Sequence, residues 1–176
     1  MIKLQVIAIV FGCLVTSIGF AANVSPKEII VSYDALLIVD ICPYDNDPYN
    51  KIRIPQFLRA TDDAIAKRRP IVLVEFTYAP THHTIMETLN RLPKDYPFKK
   101  ITKDEFSAFA KTDLEDHLNR NDLKNIFIIG TSSMVCIRST ILEGIEHGFH
   151  FLTSSDFLDA GLPFIPDNLK FGFSGF

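Results

Sequence analysis

An open, mostly parallel α/β sheet with helices on both faces is the fold that the sequence predicts. Short, nearly continuous apolar runs rich in β-branched residues are typical of parallel strands covered on both faces. Stretches with helical spacing lie between these runs, and the two types alternate along the chain. Parallel strands need crossover connections, which helices supply. With 176 residues, no repeat and no linker, the chain is predicted to form one domain.

The strands are predicted from the apolar runs. The runs at 35–39, 71–76 and 126–129 are almost wholly apolar. The run at 150–153 is shorter, and 98–102 is a weaker candidate because half of it is charged. Since the carboxyl ends of such strands form the sites of open α/β sheets, residues that directly follow these runs are candidates for function.

Four helical stripes are predicted between the strands. The first follows Pro55, which suits a first helical turn, and Pro93 ends the second. Thr112 and Glu115 predict a capping box for the third, and Gly148 predicts the C-terminal cap of the fourth. The stripes contain Phe57, Leu58, Thr61, Ala64 and Ile65; Ile85, Met86, Leu89 and Leu92; Leu114 and Leu118; and Met134, Ile137, Ile141 and Ile145.

Residues 1–21 are predicted to be a secretory signal peptide, which leaves one domain over 22–176. Lys3 precedes an apolar run at 6–14, and small residues lead to Ala21. An uncleaved membrane anchor is one alternative, although the run is short for a membrane span. A lipoprotein signal at Cys13 is another. The expected location of the folded part is outside the cytoplasm, periplasmic or secreted.

The charge of the mature chain argues against nucleic acid as a partner. Loss of Lys3 leaves 17 basic and 21 acidic side chains, so the net charge changes from −3 to −4. No basic excess attracts a polyanion. We expect a small-molecule substrate, no nucleic acid and no stable membrane contact after signal removal; a homo-oligomer stays open.

Asp40, Lys103 and Cys136 are the candidate catalytic residues. Asp40 directly follows the strand run 35–39, where a turn cap is the plainer interpretation. Cys136 lies in the first turn of a predicted helix, whose N-terminus would favour a thiolate; most lone cysteines are instead core residues. Lys103 follows the weak strand, within a charged cluster that alone would indicate a solvated edge.

Two sequence segments and the strand before Asp40 resemble the isochorismatase-like hydrolase family. Residues 103–109 read KDEFSAF and 112–114 read TDL, similar to that family's Lys-x-x-x-Ser-Ala-Phe followed by Thr-Asp-Leu. Residues 130–140, GTSSMVCIRST, resemble its strand, turn, nucleophilic cysteine and following helix. The resemblance runs from about residue 34 to 156 and fills all three positions of the family's catalytic triad.

This resemblance implies a three-layer α/β/α fold, a Rossmann-like sheet of about five to six strands, and a thiol mechanism. Cys136 would attack an amide, carbamoyl or related C–N substrate, with Asp40 as general base and Lys103 as electrostatic support. The backbone amides of Ser132 and Cys136 would form the oxyanion hole. The family's cis peptide would fall at Thr131-Ser132.

The first loop departs from the family pattern. Cys42 stands where the family commonly has glutamine, and Asp45-Asn46-Asp47 lacks the histidine of nicotinamidase metal sites. We therefore predict no metal and no cofactor. The candidate pocket residues are His82, His83 and Phe109.

Two other functions stay open. The altered loop, with a short tail rich in Phe, Gly and Pro from residue 158 onward, is compatible with a catalytically inactive binding protein on the same fold. Alternatively, Cys42 and Cys136 of an exported protein form a redox-sensitive disulfide. Phe164, Phe171, Phe173 and Phe176 of the tail are candidates for covering the pocket or a dimer contact.

Overall fold

The computed structural model describes residues 32–42 and 48–158. The predicted signal peptide, the loop at 43–47 and the tail from 159 lie outside these residues. A π-helical turn, Ser133–Ile137, leads into the last helix, and a 3₁₀ turn, Ser155–Phe157, follows the last strand. In chain order the other elements are β1 Ala35–Val39, α1 Pro48–Ala66, β2 Ile71–Phe76, α2 His83–Leu89, β3 Phe98–Lys103, α3 Leu114–Arg120, β4 Asn125–Gly130, α4 Arg138–Glu146 and β5 His150–Leu152.

The described strands form one five-stranded sheet in the order β3-β2-β1-β4-β5. Every pair of neighbouring strands in it is parallel. The chain builds outward from β1 through β2 to β3, and then returns to place β4 on the other side of β1. The carboxyl ends of β1 and β4 therefore flank the point where the winding direction reverses, which is where open α/β sheets bind their ligands.

Two apolar clusters, one on each face, make the protein three layers thick. Leu36 and Ile38 of β1 pack with α1 and α2 on one face. Leu37 and Val39 of the same strand pack with α3 and α4 on the other. This alternation explains why β1 is buried along its whole length. The three-layer α/β/α fold is confirmed. No helix in the described part of the chain is both long and apolar enough to span a membrane.

Two predicted helix starts were wrong. Helix α1 was predicted to begin near Pro55, but it begins at Pro48 and contains Pro55. Proline suits a first helical turn at either position. The capping box at α3 does not form, since Glu115 instead lies 2.7 Å from His147 Nδ1. The Thr112 hydroxyl accepts a hydrogen bond from the backbone N–H of Leu114 and donates one to the carbonyl of Ala108.

Gly130, the last residue of β4, allows the two central strands to meet closely. Its φ is +146°, and a Cβ at this position would lie 1.9 Å from the carbonyl oxygen of Val39. Any side chain would therefore push β4 away from the end of β1, where Val39 and Gly130 are register partners. The close approach brings the residues after both strands to one place.

Candidate active site

Asp40, Lys103 and Cys136 come together at the carboxyl edge of the sheet. Asp40 directly follows β1, Lys103 is the last residue of β3, and Cys136 lies in the turn after β4. Asp40 has a φ of +51°, a left-handed conformation that aspartate tolerates better than most residues. Its backbone N–H still donates to the Val74 carbonyl at 3.0 Å. The chain therefore leaves the sheet at the end of the hydrogen bonding between β1 and β2.

The Lys103 side chain is fully buried and its ammonium group is held on several sides. Nζ lies 2.7 Å from Asp40 Oδ2, and the two side chains are 0% and 3% exposed. Nζ also donates to the Phe106 carbonyl at 2.7 Å. The ring centroid of Phe76 is 4.1 Å from the same nitrogen. Because a buried charge is costly without partners, this enclosure is what lets the ion pair exist inside the protein.

The Cys136 thiol contacts both members of the ion pair and is itself buried. Burial, followed by the negative charge of Asp40, raises the pKa of Cys136 to about 11, and Lys103 opposes this only in part. The sequence led us to expect a thiolate favoured by a helix N-terminus. Cys136 lies instead within a π-helical turn, where burial and then the Asp40 charge act against the thiolate. At neutral pH the resting cysteine therefore carries its proton.

Asp40 is placed to receive that proton. Burial raises the pKa of the Asp40 carboxyl group, while the Lys103 ammonium, the Cys136 thiol and the backbone N–H of Phe76 oppose the increase by binding its charged form. A carboxylate with a raised pKa that interacts with a thiol has the arrangement of a general base.

The turn from β4 to Cys136 is built by Thr131 and Ser132. The Thr131 hydroxyl donates to the carbonyl of Asp40, and its backbone N–H donates to that of Val39 at 3.1 Å. The cis peptide expected at Thr131-Ser132 is absent, and every peptide bond in the described residues is trans. Ser132 turns the chain instead through a left-handed conformation, with φ 59° and ψ 51°. The oxyanion role of the Ser132 and Cys136 amides stays a prediction.

The three candidate pocket residues lie in different environments. His82 is buried, and its Nδ1 accepts a hydrogen bond from the backbone of Thr84. His83 is exposed and stacks on His82 with the ring centroids 4.4 Å apart. Phe109 packs in the core, where its ring stacks on that of Phe149 at 5.4 Å. Packing thus accounts for the burial of Phe109, and substrate contact by these residues stays a prediction.

Cys42 lies two residues beyond the general-base candidate. Its sulfur is 4.0 Å from the Thr131 hydroxyl oxygen, and both Cys42 and Cys136 carry reduced thiols. The predicted redox pair is therefore present as two thiols in the turns after β1 and β4, and its ability to oxidise stays a prediction.

The described residues do not offer a metal centre. Within 32–42 and 48–158, no three histidine, cysteine, aspartate or glutamate side chains come together as metal ligands. Asp45 and Asp47 lie outside these ranges. Lys103 is the counter-ion of Asp40 within the described residues.

Phe76, Phe106 and Thr131 are parts of this site that sequence reasoning did not single out. Phe76 and Phe106 contact Lys103 by a ring face and a backbone carbonyl, and Thr131 contacts Asp40 by its hydroxyl group. Their only signal in the sequence was position, because each lies at or just beyond the end of a strand.

Exposed apolar side chains lie in the loops of the same edge. Tyr78 follows β2, Phe106 follows β3, and Met134 and Val135 precede Cys136; these four side chains are between 40% and 76% exposed. Tyr78 also stacks on Phe76, with ring centroids 5.0 Å apart. We refer to Tyr78, Phe106, Met134 and Val135 as the apolar rim.

Comparisons with known proteins identify the family. The isochorismatase domain family matches residues 34–160. Nicotinamidase 3 of Arabidopsis thaliana is 32% identical over 60 residues, a match that covers 34% of this chain and only 30% of the plant protein. The nicotinamidase of Staphylococcus aureus is similar in structure, with a TM-score of 0.64 at 16% identity over 76% of this chain and 87% of that one. N-carbamoylsarcosine amidase of Thermoplasma acidophilum gives a TM-score of 0.58 at 16% identity over 77% and 88%. The domain match spans most of the chain and confirms the predicted resemblance: the protein belongs to the isochorismatase family of hydrolases.

Proposed function

We propose that the protein is a cysteine-dependent hydrolase that cleaves a C–N bond of a small amide, carbamoyl or related substrate. The observation that carries this proposal is the buried cluster of Asp40, Lys103 and Cys136, in which a thiol contacts a carboxylate that is paired with an ammonium group. Such a cluster is costly to bury, so a chemical task is a better explanation for it than stability.

Acylation begins with transfer of the Cys136 proton to Asp40. The thiolate attacks the carbonyl carbon and forms the C–S bond, and the backbone amides of Ser132 and Cys136 bind the resulting oxyanion. When the oxygen reforms the carbonyl, the C–N bond breaks and Asp40 returns the proton to the departing nitrogen. Ammonia or an amine leaves, and a thioester remains. Lys103 stays charged throughout and stabilises the thiolate and the carboxylate.

Deacylation uses the same groups with water as the nucleophile. Asp40 removes a proton from the water as its oxygen attacks the thioester carbonyl. The C–S bond then breaks, and the proton on Asp40 restores the Cys136 thiol as the carboxylic acid is released. The resting state with a protonated thiol and an ionised carboxylate is thereby regained.

The apolar rim supports a substrate that carries an apolar or aromatic group beside the scissile bond. Large apolar side chains that are exposed at the sheet edge that contains the candidate triad favour a ligand that covers them. The named activities of the relatives, nicotinamide and N-carbamoylsarcosine cleavage, support an amide or carbamoyl nitrogen as the leaving group. Amides with charged acyl groups are expected to be poorer substrates.

Ammonia release from a panel of primary amides tests the proposal. Formamide, acetamide, butyramide, benzamide and succinamate vary the acyl group, and N-carbamoyl amino acids test the carbamoyl class. We expect turnover within one of these classes, with acid-quenched protein gaining the mass of the acyl group at Cys136. Absence of turnover and of any mass gain across the panel would contradict a C–N hydrolase.

Alkylation of Cys136 by iodoacetamide is expected to be slow at pH 7 and to increase up to about pH 11, since only the thiolate reacts and the pKa of Cys136 is raised to about 11. The rate is followed by peptide mass in a Cys42→Ser background. An ordinary thiol would give a midpoint near about 8.5. That lower midpoint would argue against the contact between Cys136 and Asp40.

A further inference from the structure

The aromatic ring that ends β2 contacts the ion pair of the site but has no part in the proposed chemistry. Phe76 is the register partner of Lys103 in the β2–β3 ladder. This places its ring 4.1 Å from Nζ, measured to the centroid. The last paired residues of β1 and β2 are Val39 and Val74. The backbone of Phe76 also helps to lower the pKa of the Asp40 carboxyl group. One residue therefore acts on both charges of the pair.

The ring completes the enclosure of an ammonium group whose side chain is shielded from bulk solvent. A lysine ammonium has three N–H donors. Here Asp40 Oδ2 and the Phe106 carbonyl each lie 2.7 Å from Nζ, and the Cys136 thiol is the third neighbour. Because the Lys103 side chain is 0% exposed, the ring face is the remaining source of stabilisation for the charge. Cation–π contacts contribute most when they are desolvated in this way.

We infer that Phe76 is a positioning residue, which keeps the Lys103 ammonium beside Asp40 and Cys136 through its ring face. The expected change in kcat rests on the proposed function. The positions of the thiol, the carboxylate and the ammonium group do not depend on it. A leucine here would retain the backbone N–H and the apolar contact with the core. It would lose the π face that contacts Nζ, and with it the stacking of Phe76 on Tyr78, and the ammonium would then be free to move away from the thiol.

Three variants separate this role from ordinary core packing. Phe76→Leu removes the π face and Phe76→Tyr keeps it. Phe151→Leu removes a buried ring from the same core cluster, on β5 at the far edge of the sheet. For the best amide we expect kcat to fall about tenfold in Phe76→Leu, with KM within about twofold of wild type. In Phe76→Tyr and Phe151→Leu we expect kcat within about threefold of wild type.

Cys136 alkylation gives a second readout that needs no substrate. Asp40 of the β1 end and Lys103 of β3 are the charged groups that act on this thiol. Since Lys103 lowers the pKa of Cys136, displacement of its ammonium group in Phe76→Leu should move the alkylation midpoint to higher pH. In Phe76→Tyr and Phe151→Leu the ammonium should stay in place, and the midpoint should equal that of the wild type. If Phe76→Leu unfolds, Phe76→Met fills the same space with a flexible apolar chain and takes its place.

The inference is overturned if Phe76→Leu keeps both its kcat and its alkylation midpoint, or if Phe151→Leu loses as much kcat as Phe76→Leu. A shifted midpoint in a protein that hydrolyses no amide would support the positioning role and overturn the hydrolase proposal, so the two failures are distinguishable.

Discussion

Replacing Cys136 with alanine is expected to abolish amide turnover, with kcat/KM falling by about 10⁴-fold or more. The thiol is the only group in the proposed cluster able to form the covalent intermediate, so no neighbour substitutes for it. The fold should persist, because loss of one buried sulfur at a position 3% exposed removes little packing. We expect a stability change of about 1 kcal/mol in chemical denaturation.

Ammonia release and acid-quenched mass spectrometry give the readout. Cys42→Ala is the matched control, since it removes the other described thiol and should retain turnover. Retained turnover in Cys136→Ala would remove the cysteine mechanism. Loss of turnover in both variants, together with an intramolecular disulfide in the wild-type protein, would favour the redox hypothesis.

Replacing Lys103 with methionine is expected to destabilise the protein by about 3–5 kcal/mol, because it leaves the Asp40 carboxylate buried without its counter-ion. The apolar stem is preserved, so packing contributes little to the loss. Without the ammonium, burial is opposed only by Cys136 and the backbone of Phe76, so the pKa of the Asp40 carboxyl group rises further. The folded state then binds a proton more tightly than the unfolded state, so the penalty should be largest at neutral pH and should shrink as the pH falls toward about 4.

A double-mutant cycle with Asp40→Asn tests this account. The variant with both substitutions has no buried charge at this position and should recover most of the stability that either single variant loses. Urea denaturation at pH 7 and pH 4.5 gives the four free energies of unfolding. Additive losses, or a penalty for Lys103→Met that does not depend on pH, would show that the pair is not coupled as the 2.7 Å contact indicates.

Much of this architecture was predictable because buried strands and helices have recognisable patterns of apolar residues in the sequence. The runs that became β1 and β2 begin and end where they were predicted, since strands covered on both faces must be apolar throughout. The three triad positions were predicted from the resemblance, and the structure places them together. Strand β3 was a weaker prediction because it lies at the edge of the sheet, and three of its six residues are lysines.

The remaining features depend on contacts between residues that are distant in sequence. Glu115 contacts His147 instead of capping α3, and no local sequence pattern indicates that contact. The raised pKa of Cys136 results from burial in the assembled core and from a carboxylate nearly a hundred positions earlier in the chain. The roles of Phe76 and of the Phe106 carbonyl likewise become visible only when β2 and β3 are side by side. Export, assembly and the nature of the substrate stay predictions.

The order of the strands also bears on how the protein folds. Asp40 and Cys136 become neighbours only after β4 has inserted next to β1, and Lys103 reaches them only across the end of β2. Parallel pairings of this kind close long loops before they gain contact energy, so they form slowly. A partly assembled sheet that lacks either β3 or β4 does not contain the complete cluster. Regained activity during refolding would therefore report that both β3 and β4 have joined the central strands, rather than the early collapse.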